Sequence, residues 1–341
     1  MLNVIWFLVI AGMVTVYAVL DGFDLGVGAL LLVLTKSEAE RSEALKSIGP
    51  VWNGNEVWLL AGGGAMVAAF PTLYAASFSG FYLPLMVVLW LLILRGIGYE
   101  FRHYDKDGMW TGVCDVAFSI ASLLLALLFG VAVGNVLRGV PMDAGGNFTG
   151  SFAFLLNPFA LVAGLLTVSV LCLHGAAFIA MRANIADLKS RAIRFAGGFH
   201  IAATVLTIAI VGGSFLARPD FIGNFQKAPE LFVLPGLALA VLIAIPVALR
   251  KGNAKAAFQA TCTLIVSLLG SAAAGMFPRL LPSVLGDPSG DHSLTIYNAA
   301  SSPHSMATAL IATSIGLVLV ACYTTIIYRL VFKKQVTAAS A

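Results

Sequence analysis

Asp21 and Asp24 stand three residues apart inside one long apolar run, Asn53 and Glu56 open a second, and Arg95 closes a third. A charge in a helix that crosses a bilayer costs on the order of a few kcal/mol, so such residues face the protein interior and find partners there. Residues three apart on a helix share a face, which lets Asp21 and Asp24 approach the same neighbour. An arginine beside two carboxylates lowers the cost of burying all three, and residual negative charge can hold a proton or order a file of water. Three kinds of chemistry fit: an ion pair that fixes helix packing, a proton or water path, or contact with a quinone or lipid. Small residues at Gly22, Gly26 and Gly28 let a neighbouring helix approach closely, which supports the packing role for this segment.

Other side chains offer less. His174 lies inside an apolar run and His200 at the start of the next, where a haem ligand is conceivable and a hydrogen-bonded interior histidine is the simpler expectation. His103, His292 and His304 fall near connections. Cys114, Cys172, Cys262 and Cys322 are isolated, with no paired spacing, and are expected to be inert thiols. There is no phosphate-binding glycine loop, no H-E-x-x-H and no nucleophile constellation, so nothing in this chain alone looks catalytic, and no metal site is expected.

The elements that must position the charged residues follow from composition. Of 341 residues, 60% are hydrophobic and 11% charged, where a soluble domain carries about a quarter charged residues. A water-facing surface cannot be built from so few charges, so most of the exterior meets lipid or an apolar partner. The net charge of +4 does not suggest nucleic acid. The first residues lack a basic leader region and the apolar run that follows is too long for a signal peptide, so the first segment is expected to be retained.

A helix needs about 20 apolar residues to cross the hydrocarbon, and that rule predicts nine spans, near 3–34, 50–72, 75–98, 113–137, 153–181, 198–216, 231–249, 256–280 and 304–331. The second is the weakest, interrupted by Asn53, Asn55 and Glu56 and diluted by Gly62, Gly63 and Gly64. The basic residues test the count, because cytoplasmic connections hold the excess of lysine and arginine. Connections after odd-numbered spans hold 16 of the 20, among them Lys36, Arg102, Lys106, Arg191, Lys333 and Lys334; Arg138, Arg218, Lys227 and Arg279 make up the other 4. The N-terminus is then outside and the C-terminus cytoplasmic, and Asp21, Asp24, Asn53, Glu56 and Arg95 all fall in the inner half of the membrane. Connections are short, so residues 1–341 are expected to form one transmembrane domain, and the outer stretch from Leu281 to Pro303, with Gly286, Asp287, Pro288 and Gly290, is expected to form turns.

The stretches richest in polar residues resemble subunit II of cytochrome bd-type quinol oxidases. Asp21-Gly22-Phe23-Asp24-Leu25-Gly26-Val27-Gly28 is similar to that family's first-helix signature, and Gly49-Pro50-Val51-Trp52-Asn53-Gly54-Asn55-Glu56-Val57-Trp58 to its second block. Phe70-Pro71, Arg95-Gly96, Gly134-Asn135, Leu156-Asn157-Pro158-Phe159, Met276-Phe277-Pro278 and Ala300-Ser301-Ser302 continue the match in the family's order.

The resemblance implies an all-α polytopic fold of nine helices, two four-helix bundles and one peripheral helix, in a bacterial cytoplasmic (inner) membrane. It implies an oxidase that takes electrons from quinol and reduces dioxygen to water, releasing quinol protons outside and drawing substrate protons from inside. Haem b and haem d are then expected in a partner, the haem-bearing subunit I, and none bound directly by this chain. Asp21, Asp24 and Arg95 are the polar residues the family pattern points to. A structural quinone near Trp52, with Trp58 as a second quinone or lipid contact, and a small single-helix subunit are further features of the family. One departure matters: the family has Asp in the Trp-Asp-Gly-Asn block where this chain has Asn53, which cannot release a proton near neutral pH. A route through that position must use Glu56, ordered water or the partner. The alternative from another class is a secondary transporter with an inner-leaflet charged site; transporters place their sites near the midplane, and the inner bias of these polar residues disfavours it.

Overall fold

The computed structural model describes residues 1–104, 108–287 and 290–338, with the backbone alone at Asp287, Gly290 and 331–338. Lys106 and Pro288, and the side chains of Lys333 and Lys334, lie outside the described residues.

Long apolar runs without charge become long helices, because in hydrocarbon each backbone N–H and C=O must be satisfied within its own segment. The helices are α1 (Leu2–Leu34), α2 (Glu38–Ile48), α3 (Trp52–Ala69), α4 (Pro71–Gly80), α5 (Tyr82–Glu100), α6 (Gly108–Arg138), α7 (Phe152–Leu155), α8 (Pro158–Arg182), α9 (Ala186–Ala217), α10 (Gly223–Lys227), α11 (Val233–Arg250), α12 (Ala254–Met276) and α13 (Pro303–Ala338). Helix starts are chemically marked: Asn157 accepts a hydrogen bond from the Ala160 amide at 3.0 Å with Pro158 as the first helical residue, and Ser37 caps α2. The expected third span is two helices, because Pro84 has no amide hydrogen to continue the ladder and the chain leaves helical geometry at Phe81. The connection after α1, read from sequence as loop, contains α2, an amphipathic helix too charged to enter the bilayer.

Among the described residues, eight helices are long and apolar enough to cross a membrane; α3 is not one of them. Packing nevertheless carries α3 across the same depth. It runs antiparallel to α1, with Asn55 bonded to Asp24, Gly62 beside Met13, and Ala69 and Phe70 packed in one cluster with Trp6 and Phe7. Direction gives an independent check. Gly22 meets Leu171 and Gly26 meets Gly175, so α1 and α8 run parallel, which requires an odd number of crossings between them; α3, α5 and α6 make three. Likewise α13 begins beside Trp6, whose indole N–H donates to the Met306 carbonyl at 3.1 Å, and reaches the level of Asn55 at Tyr328. The two ends of the chain therefore lie at opposite ends of the bundle, as nine crossings demand.

Helices α1, α3, α5 and α6 form one four-helix bundle, α8, α9, α11 and α12 a second, and α13 lies outside against α3. The bundles join where α1 meets α8 so closely that a Cβ on Gly26 would overlap the Leu171 carbonyl. On the outer side, Arg279–Leu281 (β1) pairs antiparallel with Leu294–Thr295 (β4), and Gly286–Asp287 (β2) with Gly290–Asp291 (β3), which gives the expected turn region two short ladders.

Candidate functional site

Three helices bring their charges together about one guanidinium. Arg95 on α5 is fully buried, and donates to both carboxylate oxygens of Asp21 on α1, at 3.0 and 2.7 Å. The same Arg95 Nη1 donates to Glu56 Oε1 on α3 at 2.9 Å. A planar guanidinium with five donors suits this double engagement, which lysine could not reproduce. The indole of Trp52 packs on the other side, with the guanidinium carbon 5.8 Å from its centroid, and Tyr99 lies 5.1 Å from Trp52.

Asp24 is equally buried but has a different partner. Its Oδ2 accepts from Asn55 Nδ2 at 2.8 Å, while Oδ1 is buried with no hydrogen-bond partner. Asn55 Nδ2 also donates to the Leu20 carbonyl at 3.0 Å, and Asn55 Oδ1 accepts from the Tyr328 hydroxyl of α13 at 3.3 Å. The expected pairing of Arg95 with both first-helix acids is therefore corrected: its carboxylates are Asp21 and Glu56. The guanidinium reaches Asp21, and the longer Glu56 side chain reaches it from α3, while Asp24, one turn further along α1, meets the α3 amide.

Asn53 is corrected as well. It is exposed, one turn before Glu56, and its shorter side chain stays outside the cluster. The asparagine that reaches an acid of the cluster is Asn55, which holds Asp24 and which the sequence marked only as an interruption of the second span. Of the charged cluster members, Asp21 and Arg95 are sealed, whereas the Glu56 side chain is 28% exposed and opens to the exterior of the chain. Two carboxyl groups thus share one guanidinium, and a third, Asp24, is buried beside them on an amide. Trp52 and Trp58 are both buried within the chain, the first against Arg95 and Tyr99, the second among Trp6, Met13 and Tyr17.

A second ion cluster escaped sequence reasoning. Arg102, two turns beyond Arg95, donates to Asp115 of α6 at 2.6 Å and to Glu38 of α2 at 2.8 Å, and Arg41 lies 3.6 Å from Asp115. Asp115 is buried at the start of the fourth span, and that position was its available signal. Tyr99, packed on Trp52 and on Phe118, stands between the two clusters. Glu40 of α2 pairs with Arg191 of α9, so α2 ties the two bundles at the inner end.

His174 does not fit a haem ligand. Its Nδ1 lies 2.7 Å from Thr261 Oγ1, its Nε2 lies 3.0 Å from the Val19 carbonyl, and Phe258 stacks on the ring at 4.7 Å, so both nitrogens are engaged in holding α8 to α12 and α1. His200 is half-buried on α9, and among the described residues no group of three His, Cys, Asp or Glu could hold a metal ion.

The helices and their buried inner cluster define a polytopic, all-α membrane protein of two bundles with one helix outside. The chain belongs to the cytochrome bd terminal oxidase subunit II family, whose profile matches residues 2–331. Relatives include the probable cytochrome oxidase subunit 2 of Haemophilus influenzae, 32% identical over 97% of this chain and 94% of that one. Cytochrome bd-I ubiquinol oxidase subunit 2 of Escherichia coli (strain K12) is 32% identical over 88% and 86%, and cytochrome bd ubiquinol oxidase subunit 2 of Bacillus subtilis 34% over 89% and 88%. The fold is that of a chain in the bd oxidase of Geobacillus thermodenitrificans, with a TM-score of 0.79 at 18% identity over 96% of this chain and 98% of that one. The full-length match to a terminal-oxidase family displaces the transporter alternative.

Proposed function

We propose that this chain is the non-haem second subunit of a quinol:oxygen oxidoreductase in a bacterial cytoplasmic membrane, where it stabilises a haem-bearing subunit I and contributes a cytoplasmic-side proton path. The observation that carries the reading is the acid excess about Arg95: Asp21 and Glu56 bond a single guanidinium, Asp24 is buried beside them on the Asn55 amide, and Glu56 opens to the exterior. With all three ionised the group would hold two uncompensated negative charges in a low-dielectric interior, so it is built to keep and exchange protons. Asp21, held by two bonds, anchors Arg95. Glu56 is placed to take up a proton at the open side, and Asp24 offers a second carboxyl within.

The haems held by the partner supply electron transfer and dioxygen reduction; this chain's residues hold protons, exclude bulk water and keep the helices in register. Asn53 cannot ionise, and its exposure agrees with a route that bypasses it. The test is Glu56→Gln in the complex isolated through a tag on this chain. Quinol-driven oxygen consumption is expected to fall on the order of a hundredfold, the low end of the range for a lost proton-transfer group, with the haem spectrum and haem content unchanged. Full turnover with full haem content would remove the proton path. The composition of the same preparation reads out subunit I, any small single-helix subunit and any bound quinone, and b- or d-type bands in this chain purified alone would overturn the non-haem assignment.

A further inference from the structure

We propose that Tyr328 of the outermost helix, α13, is a positioning residue for Asp24, acting through the amide of Asn55. The inference rests on the proton-path reading above and extends it to a helix that otherwise faces outward.

An asparagine amide presents a donor and an acceptor on two similar arms, and the surrounding bonds decide which arm points where. Here the NH2 arm faces Asp24 Oδ2 at 2.8 Å and the Leu20 carbonyl at 3.0 Å, two acceptors that both require a donor. The oxygen arm faces the Tyr328 hydroxyl at 3.3 Å, and a hydroxyl can donate to it. All three contacts agree on one orientation. The reversed amide would aim its oxygen at a carboxyl oxygen and at a carbonyl, repulsive on both sides.

A second contact fixes α13 against the same turn. The ring of Tyr323 covers Gly54, where a Cβ would lie 3.1 Å from Tyr323 Cε1, tighter than a side chain ordinarily packs. Tyr323 thus packs on the opening turn of α3 while Tyr328 hydrogen-bonds within it. With Oδ2 held by Asn55 and Oδ1 buried without a partner, Asp24 is left one oxygen for a proton or a water. Removing the Tyr328 hydroxyl takes that donor from Asn55 Oδ1 and leaves the amide held by its NH2 arm alone, so its grip on Asp24 Oδ2 is no longer braced from α13. The other ionisable groups around Asp24 and Tyr328 are Asp21 of α1, Glu56 of α3, Arg95 and Tyr99 of α5, and Cys262 of α12, and among the described residues none of these donates to Asn55 Oδ1.

The test uses the intact complex. Tyr328→Phe keeps the ring and removes the hydroxyl; turnover is expected to fall about two- to tenfold, the range set by one lost hydrogen bond, and the pH profile of oxygen consumption to shift, with haem content unchanged. Asn55→Ala is measured with and without Tyr328→Phe. If Tyr328 acts through Asn55, the phenylalanine variant adds nothing in the Asn55→Ala background. Additive losses overturn the proposal, as does a Tyr328→Phe enzyme with wild-type turnover and pH profile while Asp24→Asn alters both. If Asp24→Asn is also without effect on either, the proton-path reading falls together with this one. Should Tyr328→Phe assemble poorly, the pH profile per haem of the surviving complex decides between the same outcomes.

Discussion

Arg95 and Asp21, 74 residues apart in sequence and on different helices, meet in a fully buried two-point ion pair, 2.7 Å at its shorter contact. Removing Arg95 strands Asp21 in a medium that does not solvate charge, and removing Asp21 leaves the buried guanidinium to Glu56 alone of the two acids that bond it. The pair therefore locks α1 to α5, and the third member, Glu56, is held by the same guanidinium but keeps one side open.

Arg95→Leu is expected to destabilise the complex by about 3–5 kcal/mol, the cost of an uncompensated buried charge. Adding Asp21→Asn should restore a large part of that loss, whereas adding Asp24→Asn should restore little, because Arg95 does not bond Asp24. Thermal unfolding of the detergent-purified complex measures all three; equal recovery by the two aspartate changes would contradict the pairing.

Among the described residues, Arg102→Leu leaves buried Asp115 with Arg41 at 3.6 Å as its cationic partner. The yield of assembled complex should drop, while turnover per haem in what remains stays at the wild-type level. This cluster fastens α2 and α6 and is separated from Arg95 by Tyr99. A fall in turnover per haem would place Arg102 and Asp115 on the route instead.

Gly26→Ala should cost at least about 2 kcal/mol, typical of overpacking, because the added methyl would meet the Leu171 backbone rather than a yielding side chain. Gly12→Ala on the same helix, where a Cβ meets nothing within 4 Å, should be neutral or slightly stabilising. Comparable losses at both positions would show that helix propensity, not the α1–α8 approach, sets the effect.

On the outer side, hydrogen bonds from Arg218 hold the Asp220 carboxyl well below the usual carboxylate range, against a partial burial that works the other way; the charge of Arg218 and then that of Arg279 add to the lowering. A carboxyl whose folded value is depressed contributes stability above its unfolded value, near 4, and loses it as pH falls toward the folded one. Protection of residues 218–232 in hydrogen exchange should be flat from about pH 5 to 8 and decline below about 4. Asp220→Asn should remove that decline. The carboxylate is about half exposed, so the effect is local.

The crossing helices, their alternation and the sidedness of the charges were all legible without coordinates. Each depends on a local quantity, apolar length or loop charge, which a bilayer reads segment by segment. Even the weak second span was recoverable from parity, because dropping it reverses every later helix; the parallel run of α1 and α8 carries the same logic in three dimensions. Depth was legible too, since Asp21, Glu56 and Arg95 each lie a countable number of residues from a span end.

Partnership was not legible. Which acid takes Arg95, why Asn55 rather than Asn53 turns inward, and how Asp115 comes to be satisfied depend on the rotation of each helix about its axis and on side-chain reach. Those are settled by contacts between helices distant in sequence, above all the glycine approach of α1 to α8 and the docking of α13 on α3. Side-chain bonds fall off within a few tenths of an ångström, and hydropathy carries no information at that scale. Composition thus determined that this protein crosses the membrane and at which level its charges lie, while only the packed structure decided which of them meet.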